Sequence, residues 1–210
     1  MNIRNKIILS KEQVALGQIF IVFVLPVLLI YYNVISKDFR MIILLVMSLF
    51  VYGVIRKEKW TNEMIGLSDN TFKKYFLPYI YIITIGTMAI IMYARSFDMD
   101  VQESWWTNPH FLFLFIVVSF LQEFTYRGFL IPKLKVVFTD RLGIVLINAL
   151  LFTLLHIIFP VPHIILPLAF IGGLAFSVLY MKYPNLILIS IAHSVFNFVA
   201  VLHGFFVMHF

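Results

Sequence analysis

The chain has 210 residues, 62% of them hydrophobic and 12% charged, with 16 Lys and Arg against 10 Asp and Glu. Soluble domains average about 45–50% apolar and about 25% charged residues, so this composition excludes an ordinary soluble domain and specifies a membrane protein. There is no cysteine, which excludes disulfides, thiolate metal sites and cysteine nucleophiles, and the basic excess sits in loops between apolar runs, the pattern that orients membrane proteins rather than one that binds nucleic acid.

The basic N-terminus, "MNIRNKIILSKEQ", leads into an apolar run over about 14–35. A secretory signal would have a shorter apolar core and a small-residue cleavage site, so this run reads as an uncleaved helix. A helical span needs about 20 mostly apolar residues. Further spans are predicted near 41–55, 75–95, 110–131, 142–159, 161–181 and 185–208. The second is short, which fits little tilt or a place inside the bundle. Between the first two lie Lys37 and Arg40. After the second comes the longest polar stretch, "KEKWTNEMIGLSDNTFKKYF", read as a cytoplasmic loop leading into a surface helix whose lysines meet anionic lipid headgroups. The loop after the third span carries Arg95 with Asp98, Asp100 and Glu103. The fifth and sixth spans are separated only by "FPVPH", Phe159–His163, whose two prolines predict a tight turn.

The sum is an all-α, polytopic helical membrane bundle of about seven transmembrane helices, in one domain over 1–210. No polar stretch approaches the ~50 residues of a small soluble domain, and continuous apolar runs exclude a transmembrane barrel. With the N-terminus inside, Arg4, Lys6, Lys11, Arg56, Lys57, Lys59, Lys73, Lys74, Lys133, Lys135, Arg141 and Lys182 fall on one side, leaving Lys37, Arg40 and Arg95 on the other. Positive residues concentrate in the cytoplasm, which predicts N-in, C-out. Trp60, Trp105 and Trp106 fall at span ends and read as interfacial anchors, as do His110, His163, His203 and His209.

Polar residues inside the spans cluster in three of them: Gln122, Glu123 and Arg127 in the fourth; Asn148 and His156 in the fifth; His193, Ser194 and Asn197 in the seventh. Ionisable residues at bilayer depth are costly and persist by pairing or by function. Glu123 and Arg127 are four apart and share a helix face, as do His193 and Asn197. At about 1.5 Å per residue, Gln122 lies roughly 18 Å from the outer end of its span, His156 roughly 21 Å and His193 roughly 12 Å from the inner ends of theirs. His156 therefore falls nearest the outer face. The small residues of "FIGGLAF", Phe170–Phe176, would let the sixth helix approach its neighbours closely. Asn148 reads as helix glue and Ser194 as filler or a helix–helix bond.

A carboxylate and a histidine can position and deprotonate a water, and a second histidine with an amide can donate to an oxyanion, so peptide hydrolysis fits the set. The bland alternative is a structural ion pair, Glu123–Arg127, beside hydrogen-bonded core histidines. The motifs require no cofactor. A zinc ion is an option, for which Glu123, His156 and His193 are the ligands on offer. A transporter would be expected to show inverted repeats, and the sequence has none.

The motifs "QEFTYRG" (122–128), "FTLLH" (152–156) and "HSVFN" (193–197), in that order, resemble those of the CPBP (Abi) family, EExxxR, FxxxH and HxxxN. The family includes type II CAAX prenyl endopeptidases, lysostaphin resistance protein A-like proteins and bacteriocin-processing or self-immunity proteins. The resemblance covers about 105–200. It implies a cavity open toward the cytosol in a bacterial plasma membrane protein, with membrane lipid and a peptide or membrane protein as partners. It further implies that His156 positions water, that His193 and Asn197 stabilise the oxyanion, and that Glu123 and Arg127 match the second Glu and the Arg. Gln122 stands at the first Glu, the general base of the motif, and Gln accepts no proton. Two functions follow: an endopeptidase acting on membrane-associated or peptide substrates near the cytosolic face, or a catalytically impaired relative that acts in bacteriocin self-immunity or binds a membrane partner. For Glu123 to replace the missing base, the helix must be irregular, because successive helical residues point about 100° apart.

Overall fold

The computed structural model describes residues 9–99, 101 and 109–205. Arg4, Lys6, Asp100, Glu103, Trp105, Trp106 and His209 lie outside the described residues, as does the side chain of His110. All regular structure among the described residues is helical, and six runs are long and apolar enough to cross a membrane. The protein is an integral membrane protein.

Helix α1, Lys11–Tyr31, starts on a reciprocal cap. The Ser10 hydroxyl accepts from the Gln13 N–H at 3.2 Å, and Gln13 Oε1 accepts from the Ser10 N–H at 2.8 Å. Two N–H groups that begin a helix without partners are thereby satisfied. Helix α2, Lys37–Lys57, is longer than the sequence suggests and lies at the periphery rather than inside the bundle. Ile42, Leu45, Leu49 and Phe50 all face outward. Lipid is as apolar as the protein interior, so such a face need not be buried. Helix α3, Asp69–Arg95, runs without a break from the polar stretch into the span, so no separate surface helix precedes it.

Helix α4 (109–137) carries the motif, and every residue from Phe124 to Leu130 is buried. Helix α5, Arg141–Ile158, is capped by Asp140, which accepts from the Gly143 N–H at 2.6 Å. It closes in a tight 3-10 turn, Leu155–Ile158. The predicted turn follows, and helix α6, Pro162–Lys182, begins on Val161 in the left-handed region at φ 53°. Helix α7, Leu186–Leu202, stops short of the predicted 208. Its Asn185 cap accepts from the Leu188 N–H and donates to Thr71 Oγ1, both at 2.8 Å, tying α7 to the start of α3.

The most extensive packing joins α5 to α6, α4 to α7 and α3 to α7. Small residues make these approaches possible. A Cβ added at Gly173 would sit 3.1 Å from Ala149 Cα, and one at Gly86 would collide with the Phe196 ring. Of the "FIGGLAF" glycines, Gly173 is a contact point and Gly172 faces open space. At the end of α4 farthest from Pro109, buried Lys133 donates to both oxygens of Glu58 at 2.6 and 2.7 Å, beneath Trp60. Trp60 stacks on Phe129 at 5.7 Å, so it fastens α4 to the α2–α3 loop in addition to whatever interfacial place it has. His203 departs from its expected interfacial place. It is buried, with Nδ1 on the Val199 carbonyl at 2.9 Å.

Candidate functional site

Helix α4 meets α7 through Ser119 and Glu123 of its regular first part, and it turns irregular just beyond them. From Phe124 to Leu130 it widens into a π-helical segment. Pro132, two residues beyond, has no N–H for the Gly128 carbonyl, and the widened turns absorb that missing bond. The Thr125 hydroxyl adds to the irregularity by donating to the carbonyls of Leu121 and Gln122 at 3.0 and 2.9 Å. Helix α1 repeats the device, with a π segment Phe20–Val24 just ahead of Pro26. The two irregular stretches pack together, the Phe23 and Tyr126 rings lying edge to face at 4.8 Å.

Glu123, fully buried, stands where this segment begins. Its Oε1 accepts from His193 Nδ1 at 2.6 Å and from Arg127 Nη1 at 3.2 Å. Arg127, also fully buried, donates from Nη2 to the Gly173 carbonyl at 3.4 Å, which brings α6 to the cluster. Its guanidinium lies over Phe152 at 4.6 Å and Phe176 at 5.4 Å. A buried charge is tolerated only when paired and hydrogen-bonded, and aromatic faces add attraction where water is excluded. Arg127 therefore joins α4, α5 and α6 and neutralises Glu123. Asn148 lies beneath this layer. It donates to the Tyr126 carbonyl at 2.7 Å and accepts from Ser177 at 2.8 Å, gluing three helices as the sequence suggests.

One turn along, Asn197 Nδ2 donates to Ser119 Oγ at 3.2 Å. Ser119 precedes Glu123 by four residues and Asn197 follows His193 by four, so antiparallel α4 and α7 are joined by two polar rungs one turn apart. Sequence reasoning missed Ser119. The signal was its spacing of four from Glu123, mirrored on α7. Ser194 turns back on its own helix, donating to the Ser190 carbonyl at 2.8 Å.

His156 joins the site at one remove. Its Nδ1 lies 2.9 Å from the Phe152 carbonyl, which can only accept, so Nδ1 carries a proton. The Phe152 ring lies 4.9 Å from the His156 ring and 5.6 Å from the His193 ring, in contact with both. No hydrogen bond among the described residues joins His156 to Glu123 or His193. Gln122 is half-buried, and its side chain makes no hydrogen bond among the described residues.

Zinc does not fit this arrangement. Glu123 and His193 face each other across a hydrogen bond, and Arg127 holds the same carboxylate oxygen. No three metal-ligating side chains converge among the described residues. An apolar groove of about 510 Å³ opens between α4 and α7, lined by Ile116, Phe120, Leu121, Ile187, Ile191 and Ser194 among others but by none of the rung residues.

Residues 104–199 match the family model Rce1-like, type II CAAX prenyl endopeptidase Rce1-like. No curated protein and no solved structure matches the chain. The matched segment holds every residue of both rungs together with Arg127, His156 and Gly173, and it is the segment that carries the three motifs.

Proposed function

We propose that the protein is an intramembrane endopeptidase that hydrolyses peptide bonds of membrane-associated or peptide substrates near the cytosolic face. The observation that carries this reading is the 2.6 Å bond between Glu123 and His193, a carboxylate–imidazole pair held at the centre of the bundle by Arg127. A carboxylate bound to one imidazole nitrogen fixes the ring and its tautomer, the arrangement general acid–base catalysis uses. The groove between α4 and α7, formed by the same two helices, gives an apolar substrate segment a place to lie. The loop charges favour a cytosolic N-terminus, and the motif resemblance supports a bacterial plasma membrane. In that orientation the basic ends of α2 (Arg56, Lys57) and α4 (Lys133, Lys135) lie toward the inner leaflet.

A second reading has one observation in its favour. Gln122 replaces the carboxylate of the family motif, and a protein without a base could still bind a membrane partner or confer bacteriocin self-immunity through the same groove. Cleavage of an internally quenched, C-terminally prenylated CAAX-like peptide by the reconstituted protein separates the two readings. The endopeptidase reading expects turnover that Glu123→Ala abolishes. It is overturned if a panel of such peptides and bacteriocin-precursor peptides stays intact while the protein retains partner binding.

A further inference from the structure

We infer that the general base in this chain is His193, acting through Nε2, with Glu123 as the residue that positions it. The inference rests on the endopeptidase reading. It gives His193 a role other than the oxyanion donor that the family motif implies.

The hydrogen bonds assign the tautomer. Glu123 Oε1 already accepts from Arg127, whose guanidinium has no acceptor to offer and keeps its charge. A carboxylate so paired can only accept, so the 2.6 Å contact requires the proton on His193 Nδ1. In the neutral ring, Nε2 then holds the lone pair. A neutral imidazole in this tautomer cannot donate from Nε2 to an oxyanion, but it can take a proton there.

Exposure points the same way. Glu123 has no exposed surface, and its second oxygen, Oε2, is sealed in the interior without a partner among the described residues. An incoming water therefore has no carboxylate oxygen to reach. His193 keeps 4% exposure, and its nitrogens are absent from the sealed, unpaired atoms that include Glu123 Oε2 and Arg127 Nε. With Nδ1 spent on Glu123, Nε2 is the nitrogen that meets an incoming water. The rings of Phe152 and Phe176, at 5.6 and 5.4 Å, hold the imidazole from both sides.

The step balances. Water gives a proton to Nε2 as its oxygen bonds to the carbonyl carbon, and the carbonyl π pair moves onto oxygen. Glu123 stabilises the imidazolium through Nδ1–H. The second amide N–H of Asn197, which spends only one on Ser119, donates to the oxyanion. Collapse breaks the C–N bond, and the Nε2 proton leaves with the amine. No carboxylate is needed at 122, so Gln122 does not disable the site.

The test combines spectroscopy with two substitutions. In the full-length reconstituted protein labelled with ¹⁵N-histidine, the His193 signal, identified by its loss in His193→Asn, is expected to show a protonated Nδ1 and an unprotonated Nε2. His193→Gln keeps an amide donor but no basic nitrogen. It is expected to lose as much turnover as His193→Ala, on the order of 10²–10⁴-fold. A proton on Nε2 would overturn the assignment. So would His193→Gln within tenfold of wild type, or a gain of roughly 100-fold or more in Gln122→Glu. These failures arise in a protein that cleaves. A protein whose wild type and Gln122→Glu forms both cleave nothing overturns the endopeptidase reading and the step with it.

Discussion

Asn197 donates to Ser119 at 3.2 Å, one helical turn from the 2.6 Å bond between His193 and Glu123. The upper rung fixes the rotation of α7 against α4 and so holds the lower one in register. Interhelical hydrogen bonds in membranes contribute on average only about 0.6 kcal/mol. Ser119→Ala is therefore expected to change thermal unfolding little. Turnover should fall by about tenfold, because a misplacement of about 1 Å at a reacting centre costs up to about 100-fold. Tm and kcat measured on the same sample check this, and unchanged kcat would remove Ser119 from the site.

Arg127 predicts the opposite balance. Removing it leaves the Glu123 charge buried and uncompensated, a loss of about 3–5 kcal/mol in comparable buried pairs. Arg127→Met should be strongly destabilised. Arg127→Lys should recover only part, since one ammonium cannot bond Glu123 Oε1 and the Gly173 carbonyl while lying flat over Phe152. Adding Glu123→Gln to Arg127→Met removes the orphaned charge. The double variant is expected to unfold at a higher temperature than Arg127→Met alone. Additive losses would show that the pair is not coupled.

The all-helical membrane class and the polar faces were legible in the sequence because apolar length and spacing of four are local properties. Glu123–Arg127 lies within one helix and could be read directly. Glu123–His193 could be expected only as a shared cavity, since a contact between residues 70 apart depends on how α4 and α7 rotate against each other. Regular helical periodicity also gives no sign of the π segment that follows Glu123 and carries Arg127, whose visible cause is Pro132 five residues after Arg127. His156 shares a motif set with His193, and the Phe152 ring is in contact with both imidazoles, at 4.9 and 5.6 Å.

Glu58 gives a pH prediction outside the membrane spans. Partial burial pushes its carboxyl up, but hydrogen bonds from Lys133, Gln18 and Trp60 and the Lys133 charge outweigh that, and its pKa lies below the ordinary 4.5. A carboxyl depressed on folding stabilises the protein above its unfolded pKa, and that contribution disappears as pH falls through the folded value. Glu58 is one-third exposed, so screening by water keeps the effect small. Wild type should exceed Glu58→Gln in Tm from neutral pH down to about 5. The gap should close as pH falls below the depressed pKa. A gap that stays constant to pH 3 would assign the stabilisation to Trp60 and Lys133 packing instead.

The adjacent glycines of α6 should respond with opposite signs. A Cβ at Gly173 would lie 3.1 Å from Ala149 Cα and 3.3 Å from the Ala149 carbonyl oxygen, and neither backbone atom can swing aside. Gly173→Ala must therefore push α6 from α5, a strain of about 1–3 kcal/mol in packed interiors. The push also moves the carbonyl that accepts from Arg127 at 3.4 Å and from Ser177 at 2.6 Å, so activity should fall with stability. Gly172 has nothing within 4 Å of an added Cβ. There the gain in helix propensity, up to about 1 kcal/mol, stands unopposed, and Gly172→Ala should match or exceed wild type in Tm with turnover unchanged. Paired thermal and cleavage measurements on the two variants decide the point. Equal destabilisation by both would mean that α6 tolerates no side chain on either face, and that the close approach at Ala149 is not what sets the height of Arg127 against Glu123.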